Sequence, residues 1–304
     1  NTWGLGLSEE GIVFGSTANR DPSVYMPIPN RYYEAVRGWT PSLVLRMIAD
    51  THLFHPITDK VLPVDQHGGH TAAAGHALYT ARNYPQEYWN RTAFVNEPTG
   101  HLVGTFVIRQ EGSHFRSNNS FNLVASDDEW TAPIMSEVGP DGNVWMLDWY
   151  NFIVQHNPTP QGFKTGKGNA YETDLRDKTH GRIYRVVYTK AKPEPRVNLK
   201  GAPPEKLVET LTHHNMGWRL HAQRLLVERN DLADLVPALR SLIQKNLVAD
   251  AEPGVAAIHA MRVIDAVRGE KRQALLEEAA KDLECHHFSP VVRMHSVSLL
   301  ASWN

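Results

Sequence analysis

Gly139-Pro140-Asp141-Gly142, running into Asn143-Val144-Trp145-Met146-Leu147-Asp148, decides the reading of the first part of the chain. An acidic–glycine turn leading into an apolar run is a hairpin signal, because aspartate and glycine accept the backbone angles that tight turns demand. The unit recurs. Ser8-Glu9-Glu10-Gly11 runs into Ile12-Val13-Phe14-Gly15, and more loosely Trp89-Asn90-Arg91 runs into Thr92-Ala93-Phe94-Val95. A short run precedes each copy, at 3–6, 74–78 and 132–135, and outer strands are expected over 101–108 and 181–188. Repeats of this size with several strands each predict propeller blades. About three are present, too few to close a ring. Two long irregular stretches interrupt them, an insertion at 20–64 with one short helix expected at 41–50, and a loop at 151–180. Loops of that length are usually functional or mobile.

The pattern changes near residue 190. A Pro-rich linker is expected over 191–203, and helical spacing follows to the end. His221, His259 and His295 align, preceded by Leu220, Ile258 and Met294 and followed by Ala222, Ala260 and Ser296. Leu225-Leu226, Val263-Ile264 and Leu299-Leu300 come four and five residues later, so the periods are 38 and 36 residues. Another helix is expected before each, at 204–213, 231–246 and 270–284. Paired helices at this period predict an all-α, HEAT-like solenoid over 204–304. The fold class is therefore mixed, with a partial all-β propeller over 1–190 followed by helical repeats.

Composition narrows the function. A net charge of -2 gives no electrostatic footprint for nucleic acid or an anionic membrane. The 41% hydrophobic content is too high for a disordered chain. Cys285 is the only cysteine, which excludes a disulfide framework, a zinc ribbon and the Cys-x-x-Cys-His of covalent haem. No apolar run reaches 18 residues, so no spanning helix is expected. The run 162–168 has the wrong spacing for a phosphate loop, and Gly168 stands where Ser or Thr is needed. No Gly-x-Ser-x-Gly elbow appears. The chain starts Asn1-Thr2-Trp3-Gly4 and stops within a helical pattern, so we expect an interior piece of a longer protein.

Four groups of residues carry chemistry. The repeated histidines recur once per repeat, too far apart for one metal, and read as tolerated positions on amphipathic helices. His67-Gly68-Gly69-His70 with His76 places three imidazoles within ten residues, a candidate metal or substrate site, with His76 at the mouth of an inner strand. Ser126-Asp127-Asp128-Glu129-Trp130-Thr131 offers hard oxygen ligands beside an aromatic, with Asp127 and Asp128 the expected ligands for Ca²⁺. Asp148-Trp149-Tyr150-Asn151 ends an apolar run. The loop after it brings His156, Lys164, Lys167, Arg176, Asp177, Lys178, His180 and Arg182, cations suited to an anionic ligand.

Several of these runs resemble one family. They are Asn1-Thr2-Trp3-Gly4-Leu5-Gly6, Ala72-Ala73-Ala74-Gly75-His76, Trp89-Asn90-Arg91, Asn96-Glu97-Pro98-Thr99-Gly100-His101 and Ser126-Asp127-Asp128-Glu129-Trp130-Thr131-Ala132-Pro133. Asp148-Trp149-Tyr150-Asn151 and Arg176-Asp177-Lys178-Thr179-His180-Gly181-Arg182-Ile183 complete the match. Together they look like the large bacterial membrane-bound dehydrogenases of the PVC haem-binding type. That family joins a six-bladed propeller, similar to soluble quinoprotein glucose dehydrogenases, to HEAT-like repeats. A c-type cytochrome domain usually follows.

The resemblance implies an exported, periplasmic or cell-surface oxidoreductase acting on a sugar-like substrate. Electrons would pass through a quinone such as PQQ, with Ca²⁺ as a further cofactor, to haem c in a domain outside this sequence. The family's catalytic base falls in earlier blades, so no catalytic residue is carried over. Asn1-Thr2-Trp3-Gly4 also stands where glucose dehydrogenases show Arg-Asn-Pro. The residues expected at the mouth, as cofactor ligands, are His76, Asp128, Trp130, Asp148, Trp149, Lys178, His180 and Arg182. Two other readings stand beside this one: a non-catalytic scaffold that binds a glycan or protein, and a Ca²⁺-dependent lactonase-type hydrolase.

Overall fold

A computed structural model describes residues 2–38, 46–61, 69–154, 161–162, 164, 172–192, 195–229, 231–246, 254–283 and 290–303. The chain divides into two compact units, Asn1–Lys192 and Pro193–Asn304.

The first unit holds three antiparallel sheets, each built from consecutive strands. The first comprises β1 (Thr2–Leu7), β2 (Val13–Thr17) and the two-residue β3 (Val24–Tyr25). The second comprises β4 (Ala74–Leu78), β5 (Thr92–Glu97), β6 (Leu102–Glu111) and β7 (His114–Ala125). The third comprises β8 (Pro133–Val138), β9 (Val144–Asp148) and β10 (Arg182–Val186). The acidic–glycine turns fall where the sequence places them, between β1 and β2 and between β8 and β9. β7 was not anticipated. Its run of Asn, Ser and Arg alternates exposed with buried positions, and that polar face hides the strand period.

The sheets stack through their first strands, β1 against β4 and β4 against β8. Alternation along β5 explains how the middle sheet is held. Ala93 and Val95 join a core with Phe14, Leu78 and Phe106, while Phe94 joins another with Tyr79, Val144 and Met146. Successive side chains point to opposite faces of a strand, so β5, at the middle of the second sheet, is buried on both sides. The approach of β1 to β4 requires glycine. A Cβ on Gly6 would lie 2.0 Å from the His76 carbonyl oxygen, and one on Gly4 would lie 2.4 Å from that of Gly75.

Polar clamps lock the stack. Arg82 forms a bidentate pair with the fully buried Glu9 carboxylate, at 2.9 and 2.8 Å. Asn90 accepts from the Glu9 amide and donates to Glu10, so the β1–β2 turn is fastened to the middle sheet. On the other side, Tyr79 Oη donates to the Gly142 carbonyl and Asn83 to that of Asp141.

Residues 41–45 of the expected helix lie outside the described residues. Over 46–50 the chain is extended instead, with bridges from Met47 to Val24 and from Ala49 to Ser117. A short helix, α1 (Asn30–Glu34), lies earlier in the insertion.

The second unit contains α2 (Pro204–Thr210), α3 (Met216–Val227), α4 (Leu232–Asn246), α5 (Val255–Asp265), α6 (Arg272–Leu283) and α7 (Pro290–Trp303). α3, α5 and α7 pack in succession, as do α2, α4 and α6. Their apolar faces merge into one core around Leu226, Leu239, Ile243, Ala260, Met261 and Val263. Leu199 is buried in the same core, so the later part of the expected linker belongs to this unit.

The aligned histidines occupy α3, α5 and α7, and two of them are bonded from the preceding helix of that row. Arg219 Nε donates to His259 Nε2 at 3.3 Å, and Arg262 lies 2.9 Å from His295 Nδ1. Trp303 Nε1 donates to Asp265, and Arg240 pairs with Glu278. Among the described residues, no helix is long and apolar enough to cross a membrane.

Candidate functional site

The third sheet positions the candidate site at the end where β9 leaves it and β10 enters. Asp148 closes β9 and lies opposite Arg182, the first residue of β10. It is 3% exposed. Its Oδ1 accepts from the amides of Ala132, at 2.7 Å, and Tyr150, at 2.8 Å. Its Oδ2 is buried and has no hydrogen-bond partner among the described residues. A buried carboxylate oxygen left bare costs free energy, and such a group is a mark of a ligand or water position.

The Asp148 cap also fixes an unusual backbone. Tyr150 has φ of 51°, the left-handed region that a bulky residue seldom enters. That conformation costs about 1–3 kcal/mol, and residues held in it cluster at ligand sites. Here it turns the Tyr150 ring beneath the Arg182 guanidinium, whose carbon sits 3.3 Å from the ring centroid. Trp130 lies 6.0 Å from Tyr150 and 5.7 Å from Phe152, centroid to centroid. The Ser126–Thr131 turn carries that tryptophan. Asp128 Oδ1 accepts from the Trp130 amide, and Asp128 Oδ2 faces Arg182 at 3.5 Å. Asp128, Trp130 and Arg182 therefore converge, with Tyr150 and Phe152 beside them and Asp148 behind.

A second feature adjoins this face. The buried Asn151 donates to the backbone carbonyl of Asp177 at 2.9 Å, anchoring the next loop. The Asp177 carboxylate accepts from the Thr179 amide and hydroxyl, both at 2.7 Å, and its other oxygen pairs with His180 Nδ1. Those Thr179 bonds, with the His180 contact, hold the Asp177 carboxyl well below the usual range. The imidazole is oriented through Nδ1, and the His180 side chain is 71% exposed. Lys178 and Trp149 are exposed at the same end, and Asp127 is exposed in its turn.

His76 does not join them. Expected at a mouth, it is fully buried, bonded through Nε2 to Ser23 Oγ at 2.8 Å and stacked on Phe14. Burial pushes it down to about 4, so it is a neutral side chain of the sheet stack. His70 is also buried, between Phe54 and Phe106, with its Nδ1 against the His52 carbonyl. His67, His156 and Lys167 lie outside the described residues.

The residues present do not fit the groups that the resemblance implies. Pyrroloquinoline quinone carries several carboxylates and needs converging cations. Arg182 already faces Asp128, and Asp148 adds a bare carboxylate oxygen, so an anionic quinone here would meet as much negative as positive charge. For Ca²⁺, Asp128 is engaged by Trp130 and Arg182, and among the described residues no three His, Cys, Asp or Glu side chains gather as ligands.

Sequence reasoning named Tyr150, Asn151, Asp177 and His180 but missed Phe152 and the pairing of Asp177 with His180. Their residue types were visible, but the turn that assembles them depends on the backbone of Tyr150. No curated protein and no solved structure matches the chain. A family model described as a domain of unknown function, DUF7133, matches residues 1–190, the whole run of three sheets that carries this site. The chain therefore belongs to that domain family.

Proposed function

We propose that the site recognises a neutral sugar or polyol, as the substrate-binding part of an exported oxidoreductase of the resembled kind. The sheets are read as blades of a propeller and the helices as HEAT-like repeats. The redox group and the cytochrome partner are placed on protein outside the described residues. The observation that carries this reading is the convergence of Trp130, Tyr150 and Arg182, with the Asp128 carboxylate facing the guanidinium. Aromatic faces stack on the C–H faces of sugars, and the partly exposed Asp128 and Arg182 offer an acceptor and a donor to hydroxyls.

Calorimetric titration with neutral monosaccharides and polyols tests it. Saturable binding is expected, weakened about tenfold in Trp130→Ala and in Asp128→Asn. Titration with pyrroloquinoline quinone should leave its absorbance unchanged. Absence of saturable sugar binding by the wild-type chain sinks the proposal.

The Asp177–His180 pair supports a second reading, lactone hydrolysis. His180 Nε2 would take a proton from water as the water oxygen bonds to the lactone carbonyl carbon. The ring C–O bond then breaks, and the proton passes to the leaving alkoxide. Turnover of an aldonolactone should fall about a hundredfold or more in His180→Ala. Equal rates in the two proteins would exclude this reading.

A further inference from the structure

His101 closes the short 3₁₀ turn Pro98–Gly100, just before β6. It is fully buried, and its φ of 58° lies in the left-handed region. Both of its ring nitrogens face backbone carbonyls. Nδ1 lies 2.6 Å from the Thr131 oxygen, and Nε2 lies 3.0 Å from that of Lys60. A carbonyl oxygen only accepts, and a neutral imidazole has one N–H to donate. The two bonds are therefore made together only by the imidazolium, with a proton on each nitrogen.

Those bonds join the insertion to the candidate site. Thr131 closes the turn that carries Asp128 and Trp130, and the Ser126 amide at its other end donates to the His101 carbonyl. The Lys60 ammonium faces Glu129 of the same turn at 3.6 Å. The peptide between Thr131 and Ala132 passes the contact on. Its carbonyl accepts from His101, and its N–H donates to Asp148 Oδ1 at 2.7 Å. That oxygen also accepts from the amide of Tyr150, whose ring lies beneath Arg182. A cation on the oxygen side and a carboxylate on the N–H side polarise the peptide and strengthen both bonds. The other charged groups on the elements around His101 are Glu97, bonded to Thr71 and Thr99, Asp59 beside Lys60, the exposed Asp127, and Asp128, paired with Arg182.

We propose that His101 is a proton-dependent latch and a positioning residue for the candidate site. As an imidazolium it fastens Lys60 to the turn of Asp128 and Trp130. When it releases a proton to water, Nδ1 keeps the shorter bond to Thr131, and Nε2 turns a lone pair on the Lys60 carbonyl. Two lone pairs repel, so the insertion lets go, and the Lys60–Glu129 pair goes with it. The turn loses that anchor, and the site binds its ligand more tightly in acid than in alkali. The latch stands on its own geometry, and its effect on affinity rests on the sugar-binding reading.

Ring-nitrogen NMR of the whole chain, labelled with ¹⁵N in histidine and tryptophan, tests it. At about pH 6 both His101 nitrogens should carry protons, and at about pH 9 Nδ1 alone. The Trp130 indole signal should move with that change, and the exposed His180 reports separately in the same spectra. Binding of a neutral monosaccharide should be about tenfold weaker at the higher pH, and equal at both in His101→Asn. Asparagine accepts the left-handed backbone and donates an amide N–H, but it does not titrate. Circular dichroism checks the folding of this variant, and the wild-type spectra decide the latch without it. A His101 ring with one proton at the lower pH, or two at the higher, overturns the proposal. So does a Trp130 signal that ignores the loss of the proton, or a pH dependence of binding that survives in His101→Asn. If the wild type binds no sugar while both signals behave as expected, the sugar reading falls and the latch stands.

Discussion

Glu9 and Arg82 form a buried ion pair in the first unit. The carboxylate is fully buried and the guanidinium nearly so, with Arg82 also 4.9 Å from the Trp89 ring. Removing one partner of such a pair strands the other charge, at about 3–5 kcal/mol. Glu9→Gln should therefore lower the unfolding free energy of this unit by about that amount, read from urea midpoints. A loss under about 1 kcal/mol would mean that the pair is solvated. The sequence shows Glu9 only as part of a turn, because its partner lies 73 residues away and no local rule links them. His76 supplies a second test. Its ordinary value is 6.5 and burial lowers it to about 4, so the unfolded chain binds the proton more readily than the folded one. The stabilisation is complete above pH 6.5 and is lost as the pH falls toward 4, up to about 3 kcal/mol from this residue. Midpoints of wild type and His76→Gln should differ in slope across that window, and parallel curves would refute the assignment.

Among the elements, those with a strong period were the most legible. The hairpin turns at 8–11 and 139–142 and the strands beside them fall where the acidic–glycine signals lie. The helices at 204, 231 and 270 begin within two residues of their expected starts. β3 and β7 were not legible, one because two residues show no period and the other because its exposed side chains are polar. The expected helix at 41–50 failed over 46–50, where Met47 and Ala49 complete ladders set by Val24 and Ser117, far off in sequence. In the candidate site, acids and aromatics could be named, but not the turn at Tyr150 that brings Trp130 and Arg182 together. Ala260 tests the helical reading at this scale. It is fully buried in α5, and an aspartate there would be an unpaired charge in the core. In Ala260→Asp, hydrogen exchange should accelerate across 204–303 and stay slow across the three sheets. Uniform protection in both units would contradict the packing of α5 at the centre of that core.

At the scale of the whole molecule, the two units hold themselves together by different contact ranges. The side-chain bonds between α3, α5 and α7 span 33 to 40 residues, from Arg262–His295 to Arg219–His259. Each joins one helix of that row to the next. The sheets depend on longer loops, with Tyr84 Oη reaching the Val186 carbonyl 102 residues on. Folding rates fall as contact separation grows, so the helical unit should refold faster than the sheets. Stopped-flow refolding followed by pulse-labelled exchange checks this, and protection of the sheets first would reverse the order. The Glu9 clamp also sets a clock during synthesis. Glu9 can find neither Arg82 nor Asn90 until some eighty further residues have left the ribosome, about 4–16 s at ordinary elongation rates. For that interval the nascent hairpin holds the Glu9 carboxylate without its Arg82 clamp and shows Trp3, Leu5 and Leu7 to solvent, so it is open to mispairing while synthesis goes on.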